Sequence, residues 1–183
     1  MRFDGDSPGP MMRGSGRRDP DPRGSHWLDP VELIELIRLG PLVSIDLVVQ
    51  DPAGRVLVGL RNDEPAKDCW FVPGGRVAKG ESLDQAFRRM TKQELGIVSN
   101  RNAARFLGVF EHFYETNFLE ERDLGTHYVV LAYALRVETP DDIRFDDQHR
   151  QVRWLEPERL RSEPNVHRNT KVYGSALLEA ESG

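Results

Sequence analysis

The stretch Trp70 to Ile97, WFVPGGRVAKGESLDQAFRRMTKQELGI, decides the reading of this chain. It combines a short apolar segment, a glycine-rich turn and an amphipathic helix. Ser82 with Gln85 three residues on is a capping-box pattern, and Gly96 after Leu95 is a left-handed stop, which together predict a helix of about 13 residues. At about 100° per residue, Leu83, Phe87 and Met90 share one stripe, and Glu94 falls on the same stripe. An unpaired buried carboxylate is strongly disfavoured, so Glu94 requires a cation. The helix alone leaves two choices, an arginine (Arg88 or Arg89) or a metal ion. Pro73-Gly74-Gly75 before it predicts a turn in which backbone approaches a ligand closely, glycine being free to adopt positive φ.

Outward from this stretch, the 183 residues suit one domain with a core, and 38% hydrophobic with 30% charged is the balance of a soluble globular protein. A net charge of -5 argues against general nucleic-acid binding. The single cysteine, Cys69, excludes an internal disulfide and fits a reducing cytoplasm. Residues 1–25 are rich in Gly, Pro, Arg and Asp, cannot bury enough surface to offset chain entropy, and read as a disordered tail; residues 26–183 form the domain. No stretch is apolar for long enough to span a membrane.

Order begins near Trp27, which reads as a packing anchor. Asp29-Pro30-Val31-Glu32 starts a first helix with Val31, Ile34 and Ile37 as its apolar stripe, and Gly40 closes it. From Pro41 the period becomes two. Val43, Ile45, Leu47 and Val49 form one strand face, which turns Ser44 and Asp46 to the other; Asp46 alone reads as an acid facing solvent. A second strand, Val56 to Leu60, ends at Arg61. Phe106 to Tyr114 and His127 to Val137 predict a hairpin, with His112 and Tyr128 near its loop and each, singly, structural. Gln148-His149 falls in a loop before a short strand from Val152 to Leu155, and a helix near Lys171 to Ala180 follows. The pattern predicts a mixed sheet flanked by helices, an α/β fold.

The spacing Gly75, five residues, Glu81, seven residues, Arg89, then Glu94 and Gly96 resembles the Nudix box. Met90 and Gln93 stand where that box carries further glutamates. Taken alone, the two substitutions suggest a dead enzyme. The resemblance extends to PLVSIDLVV at Pro41 to Val49, the HFY and THYVV segments, Gln148-His149 and the NVH near the C-terminus, and in this form the chain is similar to the GDP-mannose mannosyl hydrolases of the Nudix superfamily.

That resemblance implies a Nudix-type α/β/α sandwich with a mixed sheet. It implies one Mg²⁺ per active site, with Mn²⁺ as a substitute, held by Glu94, the carbonyl of Gly74 and the side-chain oxygen of Gln148. His149 is implied as the general base, Arg61 and Arg76 as contacts to a departing diphosphate, and Tyr128 as a further donor. Asp46 and His112 match sugar-side or supporting polar residues, Arg89 a partner for the box glutamate, and Trp27 a residue near a neighbouring site in a homodimer. Carboxylates missing at Met90 and Gln93 suit an enzyme that uses one metal and attacks carbon. The implied substrate is a GDP-sugar, GDP-mannose or GDP-glucose, hydrolysed to GDP and free sugar with inversion. Two other readings stand beside it: pyrophosphate cleavage to GMP and a sugar phosphate, and a nucleotide-sugar binding module without turnover.

Overall fold

The computed structural model describes residues 28–144 and 149–181. The expected tail, Trp27 and Gln148 lie outside these residues. Strand β1 (Leu42–Gln50) is the axis of a seven-stranded sheet. It pairs antiparallel with β2 (Val56–Arg61), which carries β3 (Trp70–Phe71) along its other edge, and antiparallel with β4 (Gly74–Arg76). The hairpin of β5 (Arg105–Tyr114) and β6 (Thr126–Arg136) joins on the opposite side, β6 running parallel to β1 from Leu42 opposite Tyr128 to Gln50 opposite Arg136. Strand β7 (His149–Leu155) pairs antiparallel with β2. One parallel pairing among antiparallel ones makes the sheet mixed, as the sequence predicts.

Helices cover both faces. On one, Ile45, Leu47, Val49 and Leu57 pack against Phe87, Met90 and Leu95 of α2 (Leu83–Leu95). On the other, Val48, Val56, Val58 and Trp70 meet Leu160 of α3 (Pro157–Ser162) and Tyr173 and Leu177 of α4 (Arg168–Glu181). The result is the expected α/β/α sandwich. The first helix, α1 (Pro30–Leu39), lies to the side on a small cluster of its own. Among the described residues no helix is long and apolar enough to cross a membrane.

The box helix forms as its local code dictates. The Ser82 hydroxyl accepts from the Gln85 amide at 3.3 Å, the Gln85 side chain accepts from the Ser82 amide at 2.8 Å, and Gly96 stops the helix at φ 70. Phe87, Met90 and Glu94 are buried on the predicted stripe, with Leu83 partly buried.

Four expectations are corrected. The α1 stripe is Leu33 and Ile37, with Val31 75% exposed, because α1 rests on Leu42, Phe118, Leu119 and Leu124 and not on the main core. Asp46 does not face solvent: β1 is central and covered on both faces, so its polar side is buried too. Gly74 and Gly75 form strand β4 without positive φ. The close approach that requires glycine at 74 is to β1, since a Cβ there would lie 2.6 Å from the Ile45 carbonyl oxygen. Lastly, His149 opens strand β7 and does not sit in the loop before it.

Candidate active site

A cleft of about 690 Å³ opens where β1, β2 and β4 meet α2 and the β5–β6 hairpin. Seven of the residues given a site role by the resemblance line it: Asp46, Arg61, Gly74, Arg76, Glu94, His112 and Tyr128. They come from separate strands and a helix, so the sheet and not the sequence brings them together. A second cleft of about 390 Å³, beside the end of α1, includes none of them.

On the box side, Arg89 clamps Glu81. Its Nε donates to Glu81 Oε1 at 2.7 Å and its Nη2 to Oε2 at 2.8 Å, while Nη2 also donates to the Arg76 carbonyl at 2.8 Å and Nη1 to Gln93 at 3.0 Å. Glu81 Oε2 accepts from the Ala78 amide as well. This bidentate pair ties the loop after β4 to the helix. It makes Arg89 the partner of the box glutamate, as expected, and holds Arg76 from behind. Glu94, 8% exposed, lines the cleft further along α2, and Gly74 of β4 lines it too.

These donors fit a hard divalent cation. A carboxylate and a backbone carbonyl are oxygen ligands of the kind Mg²⁺ takes, usually keeping several waters. Among the described residues no group of three or more His, Cys, Asp and Glu is arranged to hold a metal. Met90 and Gln93 stand where the box carries further carboxylates, so Glu94 is the carboxylate that α2 turns to this part of the cleft.

Next to Gly74, its partner in the β1–β4 pairing, Asp46 belongs to a buried polar cluster. The Tyr173 hydroxyl donates to Asp46 Oδ2 at 2.7 Å and lies 3.3 Å from His112 Nε2. Burial pushes the Asp46 carboxyl up to about 7, against the Tyr173 hydrogen bond and the nearby Arg61 charge. Burial, then the charge of His167, pulls His112 down to about 4. Between these values both groups are neutral, so their 4.0 Å approach is not an ion pair. Burial also raises the phenols of Tyr128, Tyr114 and Tyr173, which keeps them as donors at neutral pH.

His149 is placed differently from the other seven. It faces Arg61 across the β2–β7 pairing, and its ring lies so close over Gly59 that a Cβ there would come within 2.2 Å of it. It is not one of the residues lining the cleft. Arg61 is on the cleft wall, and its Nε is buried with no hydrogen-bond partner among the described residues.

Sequence reasoning missed Tyr173, Tyr114 and Phe118. Tyr173 is fully buried and reads in the sequence as one more apolar residue of α4, spaced four before Leu177. Its signal was the pairing problem itself, because a strand acid on a covered face requires a donor. Phe118 stands in a polar loop, and its ring lines the cleft with Arg76 Cζ 5.0 Å from its centroid.

The fold is an α/β/α sandwich whose cleft is edged by a glycine strand, β4, and by a helix, α2, that turns one buried glutamate toward it. Residues 40–174 match the NUDIX domain model, and the chain belongs to the Nudix family. It is 41% identical over 128 residues to the low-salt glycan biosynthesis protein Agl8 of Haloferax volcanii, covering 70% of this chain and 79% of that protein. Among solved structures, a MutT NUDIX hydrolase from Burkholderia pseudomallei superposes with a TM-score of 0.60 at 26% identity, over 75% of this chain and 98% of that one. A MutT protein from Methanosarcina mazei Go1 shares the fold at 16% identity, with a TM-score of 0.63 over 79% of this chain and 99% of that one. Hydrolases of this family generally use a divalent metal.

Proposed function

We propose that the protein hydrolyses a GDP-hexose, GDP-mannose or GDP-glucose, to GDP and free sugar. Water attacks the anomeric carbon, the bond from that carbon to the diphosphate oxygen breaks, its electron pair leaves with GDP, and the configuration inverts. The observation that carries this reading is the double character of one cleft. Arg61, Arg76, Gly74 and Glu94 offer positive charge and metal-type oxygen donors, while Asp46, His112, Tyr114 and Tyr128 offer a hydrogen-bonding wall that is neutral between about pH 4 and 7. The first set suits a diphosphate and the second an uncharged sugar. The likeness to a relative whose name ties it to glycan biosynthesis supports a sugar nucleotide.

Arg61 and Arg76 stabilise the charge that develops on the departing diphosphate, Arg61 with a buried Nε that an anionic oxygen would satisfy. Tyr128, a protonated phenol, donates to the same group. Glu94, Gly74 and Gln148 would hold one Mg²⁺ or Mn²⁺, which when bound supplies further neutralisation of the leaving group. A diphosphate leaves readily enough to need little general acid. The proton of the attacking water goes to His149 in this reading, by resemblance, with Asp46 as the cleft-lining alternative. The protein is further read as a cytoplasmic homodimer, which sedimentation of the purified chain tests for the second part.

Reaction of GDP-mannose with Mg²⁺ in ¹⁸O-labelled water is expected to place label in mannose and none in GDP. Release of GMP would replace this reading with pyrophosphate cleavage, and lack of turnover on several nucleotide sugars with a binding module. His149→Ala is expected to lose about 10²-fold or more in turnover while keeping GDP affinity, measured by calorimetry. Wild-type turnover in that variant, with loss in Asp46→Asn, moves the base to Asp46.

A further inference from the structure

We infer that Phe118 is a positioning residue for Arg76, presented by a loop built for that purpose; the inference rests on the proposed role of Arg76 at the diphosphate. The loop between β5 and β6 is long and charged, and the side chain of Asn117 ties its turns together. Asn117 is fully buried, and its amide uses every donor and acceptor it has. Its Nδ2 donates to the carbonyls of Glu121 and Leu124 at 2.8 and 2.7 Å, and its Oδ1 accepts from the amides of Leu119 and Glu121, both at 3.1 Å. The Thr126 hydroxyl donates to the Thr116 carbonyl at 3.0 Å and fixes the loop base.

The residue next to this pin is Phe118. Its loop neighbours Leu119 and Leu124 share its packing on Leu33, Ile37 and Leu42, so the loop has apolar anchors besides the phenylalanine. Phe118 differs from them in also lining the cleft, with the Arg76 guanidinium carbon 5.0 Å from its ring centroid. The negative face of an aromatic ring attracts a guanidinium and holds its plane, which an aliphatic side chain of similar volume does not. An arginine loses much rotamer freedom when it clasps a phosphate, and a ring that has already restricted it lowers that cost. Behind the same guanidinium, Arg89 holds the Arg76 carbonyl. Arg76 is thereby fixed at its backbone by α2 and at its charged head by the loop.

The test is a double-mutant cycle in the full chain: wild type, Phe118→Leu, Arg76→Met and both together, with Mg²⁺-GDP affinity by calorimetry, kcat and KM, and Tm for each. Phe118→Leu is expected to weaken GDP binding by about tenfold, and in the Arg76→Met background by less than about twofold. Phe118→Trp, which keeps an aromatic face, is expected to restore most of the affinity. An equal loss in both backgrounds, or no loss from Phe118→Leu, overturns the inference and makes Phe118 a packing residue. Coupling in GDP affinity without release of GDP from a sugar nucleotide upholds it while removing the proposed reaction. A wild-type protein that does not bind GDP overturns both.

Discussion

Glu94→Gln is expected to lower turnover by two to three orders of magnitude, roughly the loss of several kcal/mol of metal-assisted charge stabilisation, while the fold survives. Glutamine has the shape of glutamate and retains the contacts of a side chain buried on α2 beside the cleft. What it lacks is the negative charge that makes an oxygen a strong ligand for a hard cation. Activity and metal affinity should therefore fall together. Mn²⁺ titration followed by electron paramagnetic resonance is expected to show affinity weakened by at least about tenfold. A variant that binds Mn²⁺ as wild type does, with a lowered Tm, would return Glu94 to the role of a buried structural anion. Glu81→Gln provides the contrast, because that carboxylate is already engaged twice by Arg89 and its loss should loosen the loop after β4.

Asp46→Asn is expected, at pH 8, to stabilise the protein by roughly 1–3 kcal/mol. In the unfolded chain the Asp46 carboxyl ionises above the ordinary value of 3.8, whereas in the folded protein burial keeps it protonated up to about 7. Above pH 7 folding therefore buries a charge at full cost; below 3.8 the cost is gone. Asparagine never carries that charge, and its carbonyl oxygen can still accept from Tyr173. The gain should be present at pH 8 and absent near pH 3.8, as measured by denaturant unfolding at both. His112 runs the other way. Its folded value of about 4 lies below the ordinary 6.5, so its contribution is complete above 6.5 and is lost as pH falls toward 4. Asp46 partly offsets that loss in the wild type, and the variant should destabilise more steeply between pH 6.5 and 4. If the Asp46→Asn variant is no more stable at pH 8 than wild type, the carboxyl is satisfied as an anion.

The local code was legible wherever a residue acts through its own backbone. Ser82, Gln85 and Gly96 delimit α2 in the sequence as in the structure, and Asp29, Pro30 and Glu32 start α1 by the same chemistry. The fold class followed from periodicity, since a strand such as β1 with alternating apolar residues and a helix with a buried stripe leave few ways to close a core. Asp46 was misread because period two reports only which side of a strand a residue takes. Whether that side is covered depends on α4, more than a hundred residues later. Val31 was misread for a related reason: its helix packs on a loop, and loop packing leaves no periodic mark. The same holds for Phe118, whose neighbour Asn117 looks like any turn residue until its four hydrogen bonds are seen. Gly74 was identified as a place of close approach, but its nearest neighbour turned out to be β1. The common purpose proposed for residues from Asp46 to His149 rests on resemblance to a family, since neither periodicity nor spacing relates them; the cleft brings Asp46, Arg61, Arg76, Glu94, His112 and Tyr128 together and leaves His149 off its lining.

The bond between Tyr173 and Asp46 spans 127 positions of the chain. During synthesis Asp46 emerges from the ribosome long before its partner exists, and the strand that carries it has one face to cover with α2 and another that waits for α4. The wall of the candidate cleft is thus among the last parts of the molecule to be completed, since in a nascent chain halted before Tyr173 the central acid would lack the hydroxyl that holds it.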